Sequence, residues 1–98
     1  MSAYFFQIDL SEVTEAFNNT IPAHRGYVNK LFADGILLSY SVSLQRNCIW
    51  CVMNADTEQE AMDYVLAFPL HEFFTDVICH PLLFHNTQSV LLPDISLN

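Results

Sequence analysis

Every side chain in residues 48–53 is apolar, so both faces of the strand that this run predicts must be covered. Side chains alternate between the two faces of a strand. One set is Cys48, Trp50 and Val52, and the other is Ile49, Cys51 and Met53. A strand buried on both sides belongs in the interior of a sheet, and the rest of the chain must supply a cover for each face.

Further segments carry the period-two alternation or the apolar content expected of strands. They are residues 4–10, 36–44 and 75–80. Residues 45–47 form a short polar connection between the second and third strands, as expected for a hairpin. Pro81 directly after the last segment interrupts that strand or confines it to a sheet edge.

Two segments carry helix signals. Thr20 has the character of an N-cap, Pro22 falls near the first helical position, and Gly35 provides a stop. Residues 12–19 then form an irregular turn before this helix. The second helix begins with a capping box from Thr57 to Glu60 and ends before a proline. The order β-α-β-β-α-β predicts an α+β, ferredoxin-like sandwich with an antiparallel sheet.

Two helices can cover only one face of a four-stranded sheet. We expect Ile49, Cys51 and Met53 to lie on the bare face, which a second copy of the chain would cover. A standard interface buries about 800 Å² per partner. The composition agrees with a homodimer, because 52% of the residues are hydrophobic and only 14% are charged.

The 98 residues predict one domain. We assign it to residues 1–85. Residues 86–98 contain Val90, Leu91, Leu92 and Ile95 without a clear period. This segment is too apolar for a free tail, so we expect it to dock on its own subunit or on the partner.

The net charge of −8 results from eleven acidic residues against three cations, Arg25, Lys30 and Arg46. Nucleic acids and anionic membranes are therefore not expected as partners. No apolar run is long enough to span a bilayer, and the first residues lack a basic leader. Three cysteines fit a reducing compartment, so we expect a cytoplasmic protein in which Cys48 and Cys51 are buried thiols.

Residues 24–39 resemble the H-x-x-Y/F…L-x-x-x-G-x-L-L-x-(A/S) stretch of YciI-like proteins. Residues 67–74, followed by Cys79-His80-Pro81, are similar to the end of muconolactone Δ-isomerases. Both families belong to the dimeric α/β-barrel superfamily, and the resemblance extends over about residues 4–85.

The resemblance implies a dimeric barrel with a pocket between sheet and helices. It also implies an isomerase that shifts a double bond in a lactone ring and needs neither a metal nor another cofactor. This chain departs from the pattern at His24 and Arg25, which replace an acidic and lysine-bearing helix start. The aspartate that YciI-like proteins place after the second strand is also missing. The reaction therefore stays open.

His24 is the candidate catalytic residue, because a histidine on the buried stripe of a helix can transfer protons near neutral pH. The candidate substrate-binding residues are Tyr27, Ser39, Tyr40, Ser41, Trp50 and His80. Tyr40 and Trp50 are expected to form an aromatic wall, and the serines to donate hydrogen bonds from one strand face. No metal site is predicted, since the spacing of His71, His80 and His85 is not that of a zinc site.

Two functions remain open at this point. One is a cofactor-free enzyme of aromatic catabolism, related to muconolactone isomerase, that acts on a ring-containing acid or lactone. The other is a non-catalytic dimeric module that binds a small apolar ligand. The negative net charge favours the second, unless Arg25 or Arg46 faces the pocket.

Overall fold

The computed structural model describes residues 1–87, which form a four-stranded antiparallel sheet with two helices on one face. The elements are β1 (Ser2–Leu10), α1 (Glu15–Ala33), β2 (Leu37–Val42), β3 (Cys48–Ala55), α2 (Glu58–Leu66) and β4 (Phe74–Leu82), with a 3₁₀ turn (Pro69–Phe73) before β4. The strand order is β2-β3-β1-β4, so the predicted ferredoxin-like α+β fold is confirmed. The predicted docking of the 86–98 tail falls almost entirely on residues outside the described part.

The core lies between the helices and one face of the sheet. Strand β1 contributes alternate residues to it, among them Phe6 and Ile8, which have no exposed surface. The register pairs Phe6 with Cys51 and Ile8 with Ile49, and directly paired residues point to the same side. The helix-covered face of β3 is therefore the one that carries Ile49, Cys51 and Met53.

The prediction that these three residues lie on the bare face is wrong. Ile49, Cys51 and Met53 are at most 1% exposed beneath the helices. The bare face instead carries Trp50, which is 38% exposed and pairs with Gln7 of β1. Because β3 is apolar on both sides, its own pattern does not tell which side the helices cover. The alternation of buried residues in β1, together with the register between β1 and β3, identifies that side.

The N-cap of helix α1 lies six residues before Thr20, which was the predicted cap. Thr14 is the N-cap, and its hydroxyl accepts a hydrogen bond from the backbone N–H of Phe17 at 3.2 Å. Thr20 lies within the helix, where its hydroxyl donates to the carbonyl of Ala16 at 2.9 Å. Pro22 is also internal, because the buried Phe17 holds the preceding turn against the core.

Helix α2 follows the predicted capping pattern with one difference. The Thr57 hydroxyl accepts from the Glu60 N–H at 3.1 Å, while the Glu60 carboxylate accepts from the N–H of Asp56 at 2.8 Å. Pro81 lies in β4, an edge strand, as predicted. Among residues 1–87, no helix combines the length and the apolar character that crossing a bilayer requires.

Candidate functional site

A cavity of about 410 Å³ lies between α1 and the helix-covered face of the sheet. Its lining is mostly apolar, and its polar members are Asn18, His24, Arg25, Tyr40 and Arg46. Leu10, Phe17, Ile21, Val28, Val42, Ile49 and Leu70 supply the apolar walls. A volume in this range and a few polar groups among apolar walls are typical of a site for a small organic molecule.

Helix α1 supplies one wall of the cavity. Phe17, Ile21, His24 and Val28 follow one another at steps of three or four residues, which places them on one face of a helix. Because α1 begins at Glu15 instead of near residue 21, it carries an additional turn and a half over the sheet. That extension brings Phe17 and Asn18 to the cavity.

His24 and Tyr40 form a direct hydrogen bond at the cavity wall. The Nε2 atom of His24 lies 2.6 Å from the Tyr40 hydroxyl, and His24 is only 4% exposed. The second ring nitrogen, Nδ1, is buried and has no hydrogen-bond partner among the described residues. Because Nδ1 has no accessible surface, a molecule in the cavity can reach the pair only through the Tyr40 hydroxyl and the exposed edge of the imidazole ring.

Burial changes the protonation of both groups. It lowers the pKa of His24 from 6.5 to about 4, so the imidazole is neutral at pH 7. Burial also raises the pKa of the Tyr40 hydroxyl, and the nearby Cys51 raises it further, so Tyr40 keeps its proton. The pair can thus exchange a proton with a bound molecule without holding a permanent charge.

Phe68 fixes the orientation of the pair. Its ring centroid lies 5.1 Å from that of His24 and 6.2 Å from that of Tyr40. Tyr27 packs edge-on against Phe68 at 5.4 Å, and its hydroxyl donates to the carbonyl of Tyr64 at 3.0 Å. Tyr27 therefore links α1 to α2 behind His24, and it is not part of the cavity lining.

Arg25 and Arg46 reach the cavity from two different elements. Arg25 follows His24 on α1, and Arg46 lies in the hairpin between β2 and β3. Both residues are exposed, unlike His24. Sequence reasoning left open whether either arginine faces the pocket, and the structure places both in its lining.

Besides Tyr27, four further predicted binding residues lie away from this cavity. Ser39 pairs with Val52, Ser41 pairs with Trp50, and Trp50 in turn pairs with Gln7, all on the bare face of the sheet. His80 lies on the same face beside Phe5, with ring centroids 6.1 Å apart. The structure thus brings Tyr40 together with His24, but not Ser39, Ser41, Trp50 or His80.

The expected aromatic wall of Tyr40 and Trp50 is therefore wrong. Tyr40 pairs with Cys51 on the helix-covered face, whereas Trp50 points to the bare face. A register shift between Leu37 and Ser39 lets Leu37 and Tyr40 face the same side although they are three residues apart. Sequence alternation alone does not reveal such an irregularity.

Asn18, Arg25 and Arg46 are polar cavity residues that were not among the predicted site residues. Asn18 was missed because α1 was predicted to begin after it, with Thr20 as the N-cap. For Arg46 the available signal was its position in a short hairpin that follows the strand of Tyr40. A hairpin end lies beside the last residues of its two strands, and Val42 and Ile49 are both in the lining.

The cysteines lie apart from the cavity. Cys48 and Cys51 are buried and point to opposite faces of β3, as predicted from their spacing. Burial raises the pKa of both thiols, that of Cys51 to about 12. In the part of the chain that the structure describes, no three side chains of His, Cys, Asp or Glu are arranged to hold a metal ion.

No protein-family model matches the chain, and no curated protein is detectably similar to it in sequence. Among solved structures, it is similar to 5-chloro-2-hydroxyhydroquinone dehydrochlorinase from Burkholderia phenoliruptrix in complex with 2,5-dihydroxybenzoquinone. The TM-score is 0.64 at 16% sequence identity, over 79% of this chain and 90% of that one. At this identity the similarity supports the fold alone, a four-stranded antiparallel sheet with two helices on one face.

Proposed function

We propose that the protein is a cofactor-free enzyme that transfers a proton on a ring-containing acid or lactone, with His24 as the general acid and base. The observation that carries this proposal is the 2.6 Å hydrogen bond between His24 Nε2 and the Tyr40 hydroxyl at the wall of a 410 Å³ cavity. General acid–base groups must lie within hydrogen-bond reach of the reacting molecule, directly or through one bridging hydroxyl or water, and Tyr40 in the cavity lining provides that bridge for His24.

Tyr40 is the group of the pair that can contact the substrate, because it lines the cavity and the Nδ1 atom of His24 has no accessible surface. When Nε2 carries the lone pair, the Tyr40 hydroxyl donates its proton to Nε2 while its oxygen accepts a proton from the substrate. The return step reverses this transfer: Nε2–H gives a proton to the Tyr40 oxygen, and the Tyr40 hydroxyl gives its proton to another position of the substrate. One proton leaves the substrate and one returns, as the movement of a double bond requires.

The neutral state of His24 suits the accepting step. A histidine with a pKa of about 4 is unprotonated in nearly all molecules at pH 7. A bound anion would raise that pKa, because a nearby negative charge favours the imidazolium. The base thus becomes stronger when an acidic substrate is present.

The similarity in fold supports a ring compound as the substrate. The related structure is described as a dehydrochlorinase of a chlorinated hydroxyhydroquinone, with a dihydroxybenzoquinone bound. The isomerase reaction itself rests on the resemblance to muconolactone Δ-isomerases. A cytoplasmic location and a role in aromatic catabolism belong to the same proposal.

Hydrogen exchange tests the proposal without knowledge of the natural substrate. Muconolactone and other ring-containing acids and lactones are incubated with the protein in D₂O, and deuterium incorporation is followed by NMR. We expect exchange with the wild type and a loss of about 100-fold or more in His24→Gln, the usual contribution of a general base. Tyr40→Phe should also slow exchange.

Tyr64→Phe is the matched control for Tyr40→Phe. Tyr64 lies on α2, outside the cavity lining, so this variant should exchange at the wild-type rate. Undiminished exchange in His24→Gln would show that His24 is structural.

The mostly apolar lining favours a second function, a non-catalytic module that binds a small apolar ligand. This alternative predicts that ligands bind wild type and His24→Gln with nearly equal affinity, and that neither protein catalyses exchange. Calorimetric titration beside the exchange assay separates the two functions.

A further inference from the structure

We propose that the cavity selects a ring compound that bears a carboxylate, and that Arg25 and Arg46 together bind that carboxylate at the cavity mouth. The proposal rests on the proposed function, because it concerns the same cavity. It narrows the substrate from acids and lactones to anionic ring acids, and it assigns a specificity role to two residues outside the His24–Tyr40 pair.

The distribution of positive charge carries the first argument. The chain has only three lysine and arginine residues, and two of them line this cavity. The third, Lys30, is paired with Asp34 at 2.8 Å on the outer surface of α1. A protein of net charge −8 therefore places both of its remaining cations at one small site.

The two arginines have no acidic partner within residues 1–87. Neither forms an ion pair there, and the residues that line the cavity include no aspartate or glutamate. Guanidinium groups bind carboxylates through two parallel hydrogen bonds, which makes arginine well suited to this ligand group. Two arginines in the lining of a mostly apolar cavity, neither of them in an ion pair within residues 1–87, supply positive charge for an anionic ligand.

The backbone of Arg46 carries the second argument. Arg46 has a φ of 61°, in the left-handed region that glycine and asparagine adopt most readily. The hairpin imposes this conformation, because the N–H of Arg46 donates to the Ser43 carbonyl at 2.9 Å and the N–H of Asn47 donates to the Ser43 hydroxyl at 3.0 Å. Glycine would suit the turn better, so an arginine here indicates a use for its side chain.

The different exposure of the arginines and of His24 indicates how the ligand is oriented in the cavity. Arg25 and Arg46 are exposed, whereas His24 is 4% exposed and lies with Tyr40 at the inner wall. A carboxylate held by the arginines therefore stays at the solvent side. The ring extends between apolar walls that include Phe17 and Ile21 toward the His24–Tyr40 pair.

Isothermal titration calorimetry with matched ligands tests the proposal. The probes are benzoate and 2-naphthoate, each compared with its amide, which has the same ring and no charge. We expect each acid to bind at least about tenfold more tightly than its amide, as charge-assisted hydrogen bonds allow. Arg25→Gln and Arg46→Gln should each weaken acid binding about tenfold and leave amide binding unchanged.

Lys30→Gln is the matched control, since it removes one positive charge outside the cavity. It should bind the acids as the wild type does. Equal binding of acid and amide, no acid binding at millimolar concentration, or an equal loss in Lys30→Gln would each overturn the proposal.

Arg46→Gly separates the role of the side chain from that of the fold. Because glycine relieves the left-handed conformation, the midpoint of thermal unfolding should stay the same or rise, while acid affinity falls about tenfold. An unchanged affinity would refute the role of Arg46. These measurements do not depend on turnover, so selective acid binding without hydrogen exchange would contradict the proposed catalysis alone.

Discussion

His24 combines burial, a short hydrogen bond and an unpaired ring nitrogen. Its Nε2 is satisfied by Tyr40, but Nδ1 has no partner among the described residues. An imidazolium at this position would lose hydration without gaining an opposite charge, because the residues that line the cavity include no acidic side chain within the described part. The neutral form is therefore the one that the fold stabilises.

This preference predicts how stability depends on pH. The pKa of His24 is about 4 in the folded protein and about 6.5 in the unfolded chain, so between these values the unfolded chain binds more protons. Stability should be complete above pH 6.5 and fall as the pH decreases toward 4. Each pKa unit corresponds to about 1.4 kcal/mol, and screening by solvent reduces this for a group that is only partly desolvated, so we expect a loss of roughly 2 kcal/mol.

Urea unfolding at several pH values measures the free energy of unfolding. The difference between wild type and His24→Gln isolates the contribution of His24 from that of the carboxylates. A wild-type and His24→Gln difference that is constant from pH 7 to pH 4.5 would contradict the burial of a neutral His24.

The sequence identified His24 as a cavity residue but assigned several other residues to the wrong face of the sheet. His24 was recognisable because it lies on the apolar stripe of a helix. Ser39 and Ser41 were predicted to bind a ligand as the polar face of a strand, and Trp50 as an aromatic partner of Tyr40, but all three lie on the bare face of the sheet. Which face a side chain takes depends on the register between strands, and that information lies in no single segment.

The sequence of helix α1 contains two residues that could serve as its N-cap. Thr14 and Thr20 are both acceptable N-cap residues, and Pro22 favours the later one because proline is tolerated in the first turn. Proline within a helix costs about 3 kcal/mol. The longer helix is nevertheless formed, since its first turn buries Phe17, which is 3% exposed.

The two threonines provide a matched pair of variants. Thr14→Ala removes the acceptor for the Phe17 N–H and should lower the free energy of unfolding by about 1 kcal/mol. Thr20→Ala removes a hydroxyl that only donates to the Ala16 carbonyl, and alanine favours a helix interior, so its effect should be neutral or slightly stabilising. Thermal or urea unfolding of both variants measures the difference.

The reverse result has a clear meaning. If Thr20→Ala were the more destabilising variant, α1 would begin at Thr20, and Phe17 and Asn18 would not be part of a helical cavity wall. Apart from this boundary, the order and type of the elements were predictable, because each carries its own period or cap. The family resemblance implied a pocket between sheet and helices, but most of its lining was not predictable, because the walls come from several elements that meet only in the folded chain.

At the scale of the whole molecule, the main open question is what covers the face of the sheet that carries no helix. Both helices lie on one face, and the other face presents Trp50 and Ile78, which are 38% and 39% exposed, together with Phe5. The argument that a strand apolar on both sides needs two covers therefore still holds, with the faces of β3 exchanged. A second copy of the chain, packed through this face, remains our prediction for the missing cover.

Introducing a charge on this apolar face tests the homodimer. We expect the wild type to sediment as a dimer at micromolar concentration and Ile78→Glu to sediment as a folded monomer, since a carboxylate buried between two apolar faces has no partner. Leu66→Glu is the matched control, because Leu66 is 49% exposed on α2 and should leave the dimer intact. A monomeric wild type, or equal dissociation in both variants, would show that the bare face is not where two chains meet, and the apolar strand β3 would then need another explanation.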